Sequence, residues 1–143
     1  KRKIMFSIPS QQRTAPKELI HLAKIQANDI LTNIRGIDYI MLCSTDGFEL
    51  ASMYKKNPYN STKLAAVSSS ILAMVSAFLN EIQLTGCQSI TLDAENGKAI
   101  LTSIPAPHHP MVMVTLSNKD VLLGQLLYSL KQASAAIVDA DQA

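Results

Sequence analysis

Tryptophan is absent from this 143-residue chain, and aromatic residues make up only 5% of it. A core built from it must therefore be aliphatic. Charged residues are also scarce, at 17%, which for a small domain hints that part of the surface is covered by a partner. Only two cysteines occur, Cys43 and Cys87, in strand-like segments and without metal-type spacing. They read as reduced, buried thiols of a cytosolic protein. No unbroken apolar run approaches the ~18 residues of a membrane span, and Ile4–Phe6 is too short for a signal-peptide core. The phosphate-cradling G-x-x-x-x-G-K-[ST] loop is missing, so the chain is not itself a P-loop GTPase. The G-x-S-x-G elbow is missing too. Ser44 and Asp46 have no histidine placed to complete a triad. His108 and His109 sit side by side between prolines with no third ligand, and read as an exposed loop rather than a metal site. His21 reads as a helix-surface residue. These absences predict a non-enzymatic protein without cofactor or metal.

Charge is unevenly placed. Lys1, Arg2, Lys3, Arg13 and Lys17 precede all eleven acids, and from Glu18 onward eight basic residues face those eleven, a balance of −3. A basic arm, residues 1–13, thus precedes a mildly acidic domain, residues 14–143. The arm reads as a solvated tail. The domain lacks the basic stripe that nucleic-acid binding requires.

One domain with one core suits this length. Thr14 and Pro16 open a first helix with Leu19, Ala23, Ala27, Ile30, Leu31 and Ile34 on one face, and Gly36 closes it. Ile37–Ser44 is almost continuously apolar, the pattern of a central strand covered on both faces. The turn at Asp46-Gly47 returns the chain through Phe48–Tyr54, and Pro58 punctuates a loop. A second helix spans about Ser61–Leu84, capped by Asn60 or Ser61 and broken at Gly86. Strands follow at Cys87–Ala94, Lys98–Ile104 and Met111–Ser117, the first two joined by an Asn-Gly turn. A last helix, about Lys119–Val138, buries Leu123, Leu126, Leu127, Leu130, Ser134 and Ile137. Two strands buried on both faces need helices on both sides of one sheet.

The second helix is the unusual element. On a helical wheel Leu64, Val67, Ile71, Leu72, Met74, Val75, Phe78, Leu79 and Ile82 share a broad arc, predicted to face the sheet. The other side holds Ala65, Ala66, Ser69, Ser70, Ala73, Ser76 and Ala77 rather than charge. Ala66, Ser70, Ala73 and Ala77 recur at steps of four, three and four. Such a seam of small side chains lets a second backbone approach closely. The alternative is an exposed helix kept stable by alanine's propensity. A second copy, packed antiparallel about a twofold axis, would bring the following strand near the dyad. If that strand is an edge, it could pair with its twin.

The ordered set Gly36, Ile37, Asp46, Gly47, Ala51, Ser52, Leu64, Ala65 and Ala66, followed by "ENGKAILTSI" and a final amphipathic helix, resembles the Roadblock family, the dynein light-chain and MglB-like group. The likeness runs from about Pro16 to Asp139. It implies an α+β fold of profilin/longin-like layering: a five-stranded antiparallel sheet with the second helix on one face and the first and third on the other. It implies a homodimer built on the second helix and third strand, with interface candidates Ala66, Ser69, Ser70, Ala73, Ser76 and Ala77, and edge-strand candidates Ser89, Thr91 and Asp93. It implies a cytoplasmic regulator or scaffold for a Ras-like small GTPase, or a structural adaptor in a motor or polarity complex. The basic arm and the loop Pro105–Pro110 depart from the family pattern. Arg35, at a helix end, reads as a carbonyl-capping or solvent residue rather than an arginine finger. A small-molecule sensor is a third reading, which strands filled with large aliphatics disfavour.

Overall fold

The computed structural model describes residues 15–55 and 59–142. The basic arm, the expected cap Thr14 and the loop residue Pro58 lie outside that range. Helix α1 is Lys17–Asn33. Strands β1, Ile37–Ser44, and β2, Glu49–Tyr54, form a hairpin. Helix α2 is Ser61–Glu81. Strands β3, Ser89–Ala94, β4, Gly97–Ile104, and β5, Met111–Ser117, follow, and α3 is Leu123–Gln142.

All five strands join one sheet in the order β2-β1-β5-β4-β3, and every pairing is antiparallel. The two continuously apolar strands, β1 and β5, lie side by side at its centre. Strands β2 and β3 are its edges, so the α2 connection carries the chain across the whole sheet. Alternation along β1 sends Ile40 and Leu42 to the layer shared with α1 and α3. Tyr39, Met41 and Cys43 go to the layer under α2. The α1 stripe Leu19, Ala23, Ala27, Ile30, Leu31 and Ile34 is buried as a unit, as its spacing predicts. Of the α3 stripe, Leu126, Leu130 and Ile137 are buried. Leu123, Leu127 and Ser134 are half-buried, and Ala133 and Asp141 complete the inner face.

Gly47 fixes where α2 sits. Its φ is +93°, which side chains with a Cβ rarely adopt. A Cβ there would lie 2.8 Å from Ser69 Oγ and 3.2 Å from Ala66 Cα. The β1–β2 turn therefore abuts the helix backbone.

The structure corrects the expected orientation of α2. Ala65 and Ser68 are its buried residues, and Leu64, Ile71 and Leu72 pack against the lower layer. Val67, Met74, Phe78 and Ile82, expected against the sheet, are 46–69% exposed. Small residues at the point of closest approach bring the helix near the strands, and the large apolar residues are displaced to its flank. The third strand also starts later than expected, so Cys87 lies in the connector rather than in a strand. Among the described residues α2 alone has the length and apolar composition to cross a bilayer, although its longest unbroken apolar run is only Ile71–Val75. In this fold it lies along β1, β2 and β5.

Candidate interaction surface

The N-terminal end of α2 is tied to the sheet edge. Asn60 Oδ1 accepts from the Lys63 N–H at 3.1 Å, the capping bond that an Asn in this position provides. Ser61 Oγ donates to Glu49 Oε1 at 2.6 Å, and Ser52 Oγ donates to Glu49 Oε2 at 2.7 Å. Tyr39 shares a 3.2 Å hydrogen bond with Ser52, stacks on Tyr54 and meets Tyr59 edge-on, with centroids 6.1 and 5.0 Å away. Burial pushes the Tyr39 hydroxyl above its ordinary range, although Ser52 opposes this. One carboxylate thus clamps the helix start to β2. At the other end Gln83 and Gly86 have left-handed φ values of 64° and 73°, and the connector leaves Ile82 and Leu84 exposed.

Between these ends α2 turns Ala66, Val67, Ser70, Ala73, Met74, Ala77 and Phe78 outward. The predicted seam of Ala66, Ser70, Ala73 and Ala77 is therefore on one open face. Ser69 and Ser76 are half-buried beside it. The hydroxyls of Ser69 and Ser70 donate to the Ala66 carbonyl at 3.1 and 3.0 Å. Hydroxyls already bonded to their own helix cost little to remove from water. The face therefore behaves as an almost apolar surface despite its serines.

Strand β3 is exposed along most of its length. Its register opposite β4 places Ser89, Thr91 and Asp93 level with Thr102, Ile100 and Lys98, on the side of the sheet that α1 and α3 cover. Asp93 is held by Lys98 at 2.7 Å. Ile90 and Leu92 fall on the α2 side, where Leu92 is 44% exposed. The predicted helix seam and the predicted strand residues thus lie on opposite faces of the sheet. On the α2 side of the sheet the exposed large apolar residues are Val67, Met74 and Phe78 on the helix and Leu92 on the edge strand, with Ile90 half-buried. Alternation within "SITLDA" carries that signal for the strand; the helical wheel alone does not carry it for the helix.

The loop Pro105–Pro110 is largely exposed, as expected, with Ala106 buried, and it is also anchored. Asp141 Oδ2 accepts from the backbone N–H groups of His108 and His109 at 2.7 and 2.8 Å. Its Oδ1 pairs with His109 Nδ1 at 2.8 Å. Burial would push the Asp141 carboxyl up, but these hydrogen bonds outweigh it and hold the group below its ordinary range. Ser44 Oγ accepts from the Phe48 N–H within the turn. Among the described residues no three His, Cys, Asp or Glu side chains converge as metal ligands would.

The Roadblock/LC7 domain model matches residues 27–106. Among solved structures, the gliding protein MglB of Thermus thermophilus is 17% identical, with 90% of this chain and 95% of that chain covered at a TM-score of 0.78. MglB in a tetrameric arrangement is likewise 17% identical, covering 90% and 94% at 0.79. A Roadblock/LC7 domain of Streptomyces avermitilis is 10% identical, covering 81% and 94% at 0.71. Likeness at these identities speaks for the fold. No curated protein matches the sequence.

Proposed function

Because this chain belongs to the Roadblock/LC7 family, we propose that it is a non-enzymatic, dimeric cytoplasmic regulator or scaffold that binds a Ras-like small GTPase and modulates its nucleotide cycle. The observation that carries this reading is the exposure of large apolar residues on the outer face of α2, Val67, Met74 and Phe78, and of Leu92 on the same side of the edge strand β3. Helix α2 lies along β1, β2 and β5 and leaves the neighbouring ground over β4 and β3 open. A second copy related by a twofold axis brings its own α2 onto that ground, lets Ala66, Ser70, Ala73 and Ala77 meet their equivalents, and places Leu92 beside its twin. The sheet edge is then covered, which removes a hazard of open edges. The same pairing sets two apolar helices side by side as a low platform. On such a platform a GTPase docks, and the GTPase's own residues supply the chemistry.

The test is a purified Ras-like GTPase from the same source, assayed for binding and for GTP turnover with and without this protein. Saturable binding with a changed turnover rate supports the reading. Binding with no change in turnover identifies instead a structural adaptor of a larger assembly. No binding in either nucleotide state contradicts both.

A further inference from the structure

Helix α2 carries only two charged residues, Lys63 and Glu81, and both stand against its dipole. Lys63 lies in the first turn, where free backbone N–H groups make the helix end positive. Glu81 is the last residue, where free carbonyls make the end negative. Each placement disfavours the helix taken alone. Both side chains are exposed. The ion pairs among the described residues are Lys98–Asp93 and His109–Asp141, so neither Lys63 nor Glu81 has an ionic partner there. The two lie about five turns apart, roughly 27 Å along the axis, and therefore on one line of the helix. On a helical wheel that line separates the small exposed residues Ala66, Ser70, Ala73 and Ala77 from the large exposed ones, Val67, Met74 and Phe78.

We propose that these two charges select a second copy of this chain in one orientation and one register: α2 against α2, antiparallel, with the twofold axis level with Leu72 and Lys63 of each copy paired with Glu81 of the other. The inference rests on the dimer proposed above and adds its register and its selectivity for self. Charge decides the orientation. A parallel pair would set Lys63 beside Lys63 and Glu81 beside Glu81, whereas an antiparallel pair sets opposite charges together at both ends. Antiparallel packing also brings Lys63 to the negative end of the neighbouring helix and Glu81 to its positive end. What is misplaced within one helix is thus well placed between two. Size fixes the same register. With the axis at Leu72, Val67 is level with Ala77 of the second copy, Met74 with Ser70, and Phe78 with Ala66. Each large residue then meets a small one, the arrangement that lets facing rows interdigitate. Ala73 falls beside the axis, next to its own equivalent, where the two backbones come closest. A slip of one turn parts the charges at both ends.

Charge reversal tests the register. Lys63→Glu and Glu81→Lys, each in the full chain, are expected to weaken self-association about tenfold at low salt, because each turns two exposed attractions into two repulsions. Both substitutions suit the helix dipole, so a weaker dimer does not report a weaker helix. Mixed one to one, the two variants are expected to form the hybrid at wild-type affinity, since each supplies the charge that the other lacks. The doubly reversed protein is expected to recover its own dimer. These differences are expected to fade at about 1 M salt. Sedimentation equilibrium gives the affinities, and native mass spectrometry counts the hybrid. A wild-type dimer that neither reversal weakens overturns the register and leaves the dimer standing. Single variants that weaken but do not recover on mixing overturn it too, because the charges then do not meet across the axis. A wild type that is monomeric at every concentration removes the dimer itself, and the register with it.

Discussion

At the residue scale two positions carry disproportionate weight. Gly47 combines a left-handed φ with backbone contact to α2, so Gly47→Ala introduces strain and a clash together. Its expected cost is about 1–3 kcal/mol, read as a lower denaturation midpoint at unchanged m-value. An unchanged midpoint would show that the turn does not abut the helix. Asp141 carries the second. A carboxyl held below its ordinary range stabilises the fold above the unfolded-state value, near 3.9. That contribution is lost as pH falls through the lower folded-state value. Wild type is therefore expected to lose stability relative to Asp141→Asn below about pH 4, and to exceed it at neutral pH. Parallel pH profiles of the two proteins would show that Asp141 is not coupled to His109 in this way. Nothing in "PHHP" or "DADQA" points to this pair. It joins residues 32 apart in sequence, and only the meeting of α3's last turn with the β4–β5 loop creates it.

At the scale of elements, α2 depends on how its first turn is held. Asn60→Ala removes the capping acceptor and is expected to cost about 0.5–2 kcal/mol, measurable by urea denaturation. Were the loss nil, Ser61 and Glu49 would be holding the helix start unaided. The strands and hairpins were legible in the sequence. Continuous apolar runs marked β1 and β5 as central, and Asp-Gly and Asn-Gly marked the turns at either side. The rotation of α2 was not legible. Apolar residues occupy most of its circumference, so a wheel has no polar face to orient it. Ala65 and Ser68 win the inward position because they permit close approach to the sheet, a property of the packed pair rather than of the helix. The cluster of Tyr39, Ser52, Glu49 and Ser61 leaves no trace in the sequence for a similar reason, since three elements must assemble before its members meet.

For the whole molecule, the layered sheet accounts for most buried apolar surface, and among the described residues α2 and β3 leave Val67, Met74, Phe78 and Leu92 exposed, while Leu122 and Tyr128 are exposed at α3. Small residues recurring at four, three and four steps were readable as a contact seam. Their large neighbours Val67, Met74 and Phe78 became candidates only once α2 was placed. The most direct measurement is the mass in solution by light scattering over a wide concentration range, for wild type and for Ala73→Glu. The account predicts a wild-type particle of twice 15.5 kDa, reduced to monomer or unfolded chain by the charge. A well-folded 15.5 kDa wild-type species at every concentration, or a fully dimeric Ala73→Glu, would contradict it.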